Sequence, residues 1–223
     1  MNVDRRALSR AFASYRGASF VDRAFVAARY VVAPMGPLAD ELSGLRGRVL
    51  SLGSGLSMLE RYLAELNPDL TFEGVDLDPA KVEAIERTRH LSPRVSLLQG
   101  DATDLSPMVE AGERYDVVLI CDAMHHFPAD RHASVLETAA DLLSPGGTVI
   151  VKDLDSGPRW KYHWNRIHDR LVAGPEPICC RPLAEMADLL REAGLVVERA
   201  DRIDRRFTPY AHYLIRATKP STA

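Results

Sequence analysis

The feature that most constrains this chain begins at Arg48, where short apolar runs start to alternate with helical patterns. The runs occupy residues 49–52, 71–75, 95–98, 117–120 and 148–151, lengths suited to strands buried on both faces. Apolar residues at helical spacing fill 58–66, 80–88 and 131–143 between them. Strands joined through helices run parallel, and the crossover helices cover the sheet on both sides. The expected class is therefore α/β, with a doubly wound, mostly parallel sheet. Two later runs, 196–203 and 211–217, have no helix between them, and Phe207-Thr-Pro209 lies in their connection. They predict an antiparallel hairpin that closes the sheet.

Two blocks fall outside this alternation. In the first, Leu8, Phe12 and Tyr15, then Val21, Phe25, Ala28 and Val32, recur at helical spacing, and Pro34 and Pro37 are expected to stop the second helix. Residues 1–44 are thus expected to be a pair of helices, either packed on the larger domain or forming a lid over a ligand pocket. Residues 1–48 carry eight arginines against Asp4, Asp22, Asp40 and Glu41, a local net charge of +4. The second block, about 153–182, holds Trp160, Tyr162, His163, Trp164 and His168. It exceeds an ordinary connection, so part of it is expected to be helical and functional, an acceptor cap inserted into the domain of residues 45–223.

Composition narrows the class. A chain of 223 residues makes one large domain, or one domain with a small cap. With 46% hydrophobic and 26% charged residues it has enough apolar mass to fold. A net charge of -3 argues against affinity for a phosphate backbone. Cys121, Cys179 and Cys180 are odd in number, two of them adjacent, which points to a reducing compartment and away from a disulfide scaffold. No cysteine or histidine spacing suits zinc. The apolar stretch 25–35 is too short to span a bilayer and contains Arg29. The expectation is a cytoplasmic protein with no membrane and no nucleic-acid partner, and with a homodimer left open.

The chemistry-bearing residues gather where strands end. The first run leads directly into Gly53-Ser-Gly55-Leu-Ser57, a strand-to-helix turn that lets a ligand approach the backbone closely. The dinucleotide fingerprint GxGxxG would need a glycine at Met58, so a nicotinamide oxidoreductase is disfavoured. Asp76 lies 21 residues after Gly55 at a strand's carboxyl end and can accept from the vicinal hydroxyls of a ribose. Asp78 reads as a helix cap with Pro79 at the first position. Asp101 can accept from the exocyclic amine of an adenine, with Leu77 and Ala102 near the ring.

Taken in order, VLSLGSG, GVDLD, QGDA, YDVVLICDAMHHF and LLSPGGTVIVKD resemble the class I S-adenosyl-L-methionine-dependent methyltransferases, most of all their small-molecule branch. The resemblance covers about residues 45–219. It implies seven strands with the last reversed, and S-adenosyl-L-methionine as cofactor. It also implies that Gly53, Ser54 and Gly55 pass under the methionine part and Asp76 holds the ribose. Leu77, Asp101 and Ala102 would then face the adenine, and Cys121 and Asp122 would lie along the methionyl moiety. Two positions depart from the family pattern. Ser51 stands where an acidic residue is usual, and Ser57 where glycine is usual. Loss of the carboxylate implies weaker cofactor affinity or compensation elsewhere, for which the N-terminal segment is the candidate.

Methyl transfer from a sulfonium is an in-line displacement, in which the protein mainly aligns the acceptor. A base is needed only where the acceptor must lose a proton. His125 and His126 are the candidate catalytic residues, since imidazole titrates near neutrality. Asp153 and Asp155 share the rim and either orient an acceptor or bind a metal, and no metal is expected. Trp160, His163 and Trp164, together with Tyr15 and Tyr30 from the N-terminal segment, are the candidate substrate-binding residues. Tyr210, His212 and His168 are further lining candidates. An aromatic wall suits an aromatic or conjugated small molecule methylated on oxygen or nitrogen. Methylation of RNA or protein is the rival, and it lacks the Asn/Asp-Pro-Pro-aromatic sequence of adenine N6 enzymes at Cys121-Asp-Ala-Met124. A relative that binds the cofactor without turnover is the third reading.

Overall fold

A computed structural model describes residues 3–32, 35–172, 178–203 and 210–221. The strands form one seven-stranded sheet in the order β3-β2-β1-β4-β5-β7-β6. The chain divides into two compact units, Met1–Ala102 and Thr103–Ala223.

In the first unit, β1 (Gly47–Leu52), β2 (Leu70–Asp76) and β3 (Val95–Gln99) pair in parallel, with Ser51 beside Gly74 and Asp76 beside Gln99. Val49, Leu50, Leu52, Phe72, Val75, Val95 and Leu97 are buried, as both-face coverage requires. Helix α4 (Met58–Leu66) follows β1, and α5 (Pro79–Arg87) follows β2. Asp78 caps α5 through the Ala80 amide, with Pro79 in the first turn, as its sequence predicts.

Among the described residues three helices precede β1, where the periodicity predicts two. They are α1 (Arg5–Ala13), α2 (Phe20–Val32) and α3 (Met35–Leu42). Pro37 does not stop α2. It sits in the first turn of α3, where a missing amide hydrogen costs nothing. Pro34 lies outside the described residues. Asp4 starts α1 by accepting from the amides of Arg6 and Ala7.

Arg61, fully buried on α4, joins these helices. Its guanidinium donates to Ser14 O and Oγ at 2.9 and 3.0 Å, to Thr88 Oγ1 at 2.7 Å and to Ile85 O at 3.3 Å. It also lies over the Tyr15 ring, 4.4 Å from its centre. A planar fork with five donors suits three such separate partners.

In the second unit, β4 (Tyr115–Cys121) pairs in parallel with β5 (Leu143–Leu154). Strand β7 (His212–Thr218) runs antiparallel to β5 and to β6 (Val196–Arg202). The expected hairpin is present and β7 is the reversed strand; Phe207-Thr-Pro209 in its connection lies outside the described residues. The Ser-Pro-Gly-Gly stretch falls within β5, where Gly146 takes φ +77°. Helices α6 (Ser106–Glu110), α7 (His132–Leu142), α8 (Arg159–Val172) and α9 (Leu183–Glu192) complete the unit. Among the described residues no helix is long and apolar enough to cross a membrane.

Candidate active site

In the first unit, the loop after β1 is shaped by left-handed backbone at Gly53 (φ +68°), Gly55 (φ +58°) and Ser57 (φ +47°). Glycine meets that requirement freely; Ser57 does not, and its conformation explains why glycine is usual there. Ser57 lies buried with its hydroxyl 3.0 Å from that of Ser54. The loop folds down onto β2, where the amides of Gly53 and Ser54 donate to Val75 O. A Cβ on Gly74 would stand 2.6 Å from Ser54 Oγ and 2.8 Å from Leu97 Cδ1. Only glycine at position 74 therefore lets the loop lie this close.

Asp76 is the anchor of the loop. Its Oδ2 accepts from the Gly55 amide at 2.7 Å. Its Oδ1 accepts from the Asp78 amide at 3.0 Å and from Lys81 Nζ at 3.3 Å. A carboxylate has about four acceptor positions, so capacity for a ligand hydroxyl remains. Nearby on the same rim, Leu77 is 69% exposed, Asp101 is exposed and Ala102 is buried.

The two tyrosines from the N-terminal helices reach the same loop. Tyr15 donates to Leu56 O at 2.6 Å and Tyr30 to Met58 O at 3.0 Å. Burial pushes both phenols well above their ordinary value, so they remain neutral donors. Their hydroxyls are turned to backbone at the start of α4. Beneath the loop, the Ser51 hydroxyl donates to Glu60 Oε1 at 2.5 Å.

In the second unit, the ends of β4 and β5 carry two acid–base pairs. Asp122, just past Cys121, takes left-handed backbone at φ +53°. Both its oxygens accept from Lys152 Nζ at 2.6 Å, with His212 Nε2 3.7 Å from Oδ1. Lys152 is buried near the end of β5. The second pair joins His125 Nδ1 to the Asp153 carboxylate, both buried. Asp153 also accepts from the backbone amides of His125 at 3.3 Å and Leu154 at 2.6 Å. Burial would raise the Asp153 carboxyl, but the charge and hydrogen bond of His125 outweigh it and hold the carboxyl below the usual carboxylate range.

His126 is exposed, its ring 4.1 Å from that of His125. Asp155 is engaged by Arg202 and by the Gly157 amide. Among the described residues no group of three His, Cys, Asp or Glu is placed to hold a metal ion.

Helix α8 turns its tryptophans outward and two polar side chains inward. Trp160 and Trp164 are 57% and 45% exposed, and His163 is exposed. Lys161 and Asn165 are buried at 3% and 1%. Lys161 donates to Tyr210 O at 3.3 Å, and the Asn165 amide has no partner among the described residues. The tryptophans therefore do not pack the cap onto the domain. The side chain of His168 lies outside the described residues.

Sequence reasoning does not reach Glu60, Lys152, Lys161 or Asn165. A lysine directly after the apolar run 148–151 is the one available signal.

Comparison with known proteins fits this geometry. Residues 50–149 match a family described as a methyltransferase domain. A ubiquinone biosynthesis O-methyltransferase of Azorhizobium caulinodans is 34% identical over 121 residues, covering 52% of this chain and 44% of that one. The corresponding protein of Aeromonas salmonicida is 28% identical over 123 residues, covering 55% and 50%. The chain thus spans about half the length of the relatives it matches. Among solved structures, an O-methyltransferase family protein from Burkholderia thailandensis shares the fold with a TM-score of 0.69 at 24% identity, covering 90% of this chain and 60% of that one. Residues 50–149 are thus similar to a methyltransferase domain, and the sheet has the fold seen in solved methyltransferases.

Proposed function

We propose that this protein transfers a methyl group to a small-molecule acceptor carrying an aromatic or conjugated hydroxyl, with an amine as the alternative acceptor. When bound, S-adenosyl-L-methionine supplies a sulfonium methyl that the acceptor atom displaces in line. Fit to the cofactor is supported by the loop held down over Gly74, by the acceptor capacity left on Asp76, and by a buried carboxylate oxygen beneath the loop that lacks a partner. Gly53, Ser54 and Gly55 would lie under its methionine part, Asp76 at the ribose, and Leu77, Asp101 and Ala102 at the adenine. Cys121 and Asp122 would follow the methionyl moiety, with Lys152 fixing Asp122.

His125 is the general base. What supports this role is its buried pairing with Asp153, which fixes the ring and favours its charged form once a proton arrives. As the acceptor oxygen bonds to the methyl carbon, its proton passes to the second ring nitrogen of His125. The cofactor, when bound, would supply both the methyl group and a neutral thioether leaving group. His126, exposed beside it, is the second candidate for the same proton. Trp160, His163 and Trp164 on α8 form the acceptor wall of the cap, and residues 1–44 act as the lid. Tyr15 and Tyr30 shape the loop from that lid, where their hydroxyls already bond.

The test is turnover on a panel of phenols, catechols and aryl amines, read by mass spectrometry. Wild-type protein is expected to methylate a phenolic oxygen. His125→Asn should lower that rate by about a hundredfold or more, with affinity for S-adenosylhomocysteine unchanged. A rate that survives His125→Asn sinks the base, and a panel methylated only on nitrogen sinks the oxygen assignment.

A further inference from the structure

The family pattern places a carboxylate two residues before the first loop glycine, and this chain has Ser51 there. A carboxylate is nevertheless present beneath the loop. It arrives from α4, in whose first turn Glu60 lies at 3% exposure. Ser51, equally buried, donates its hydroxyl to Glu60 Oε1 at 2.5 Å. The Ser54 hydroxyl and the backbone amide of Glu60 also favour the charged form, while burial foremost, and Asp76 nearby, oppose it.

The second oxygen, Glu60 Oε2, is buried and has no hydrogen-bond partner among the described residues. A buried carboxylate oxygen without a donor is costly, and a cation with N–H donors is what best offsets it. The neighbouring cation Arg61 does not fill that place. Its guanidinium bonds lead to Ser14, Ile85 and Thr88. The strand position holds a hydroxyl, and a carboxylate reaches it from the helix.

Resting on the cofactor reading above, we infer that Glu60 is the residue that binds the ammonium of the cofactor's methionyl end, with Ser51 as the hydroxyl that aims it. An alkylammonium carries three N–H donors, enough to reach Oε2 while the other oxygen stays bonded to Ser51. The Ser51 departure then needs no compensation from the N-terminal segment.

Isothermal titration with two nucleosides tests this. S-adenosylhomocysteine carries the ammonium, and 5′-methylthioadenosine has the same nucleoside and thioether without the amino-acid end. Glu60→Gln should weaken S-adenosylhomocysteine by about tenfold or more and leave 5′-methylthioadenosine within about twofold. The double variant S51D/E60S, which returns the carboxylate to the strand, should recover most of the lost affinity. Unchanged binding of S-adenosylhomocysteine to Glu60→Gln overturns the inference. So does an equal loss for both nucleosides, which marks a collapsed loop, and so does a double variant as weak as Glu60→Gln. If Glu60→Gln does not fold, S51D/E60S is compared with S51N/E60S. Equal affinity of that pair for S-adenosylhomocysteine also overturns it. Wild-type protein that binds neither nucleoside fails at the earlier step, the cofactor reading itself.

Discussion

A single ring, that of His132, shows how a residue's hydrogen bonds fix its charge. Arg181 Nε can only donate, and it meets His132 Nδ1 at 2.8 Å, so that nitrogen accepts. Nε2 lies 3.1 Å from Phe127 O and must carry the hydrogen. The ring is therefore the neutral tautomer. Burial, with the Arg181 charge adding to it, holds its pKa below the ordinary 6.5. The unfolded chain then takes up the proton before the folded one does. Stability from this site is fully present above about pH 6.5 and is lost as pH falls through the folded value. Urea unfolding at about pH 7.5 and about pH 5 should show a larger loss in wild type than in His132→Gln; parallel losses would remove His132 as the cause. At this scale the sequence discloses some residues and hides others. Asp76 is legible because its distance from the glycine loop and its place at a strand end are both read along the chain. Glu60 is hidden because a glutamate in a helix reads as solvated. Its meaning depends on a hydroxyl nine residues earlier, across a turn.

Elements are legible where their burial is uniform. Each of the first three strands is a short apolar run, and each appears within a residue or two of its expected bounds. Helices α3 and α6 escape because they are short and hold a proline in their first turn. On helix α8 spacing alone does not decide which face is buried. The buried Lys161 finds a backbone carbonyl and leaves the rings outside. Helix α4 makes the sharpest prediction. Arg61 serves the carbonyls of Ser14 and Ile85 and the hydroxyls of Ser14 and Thr88 from one buried position. Arg61→Met keeps much of the volume and strips every one of those donors. Buried acceptors left without partners cost about 1–3 kcal/mol each when unrelaxed. Partial repair by neighbours brings the expected total to about 2–4 kcal/mol. Denaturant unfolding should show the midpoint falling with an unchanged slope; a loss under about 0.5 kcal/mol would mean the clamp is ornamental.

At the scale of the whole molecule, the sheet order and the reversed β7 belong to a fold that serves many chemistries. The fold alone therefore leaves the acceptor open, and the rim at the strand ends is where function must be tested. A ligand that binds only the folded chain raises its stability by mass action, whatever contacts it makes. At about a hundred times its dissociation constant, that gain is about 2.7 kcal/mol. In a chain of this size each kcal/mol moves the melting temperature by about 2–4 °C, so S-adenosylhomocysteine near that concentration should raise it by about 5–10 °C. Asp76→Asn should lose most of the shift. An amide nitrogen cannot accept, so one of the two carboxylate positions that now meet Gly55, Asp78 and Lys81 is lost, along with the charge. The comparison must be made as a difference between ligand-bound and free protein for each variant, because Asp76→Asn also loosens the loop in the free state. A full shift in that variant would place the nucleoside elsewhere on the molecule. No shift in wild type at saturating ligand would mean that the glycine loop of β1 holds no adenosyl ligand.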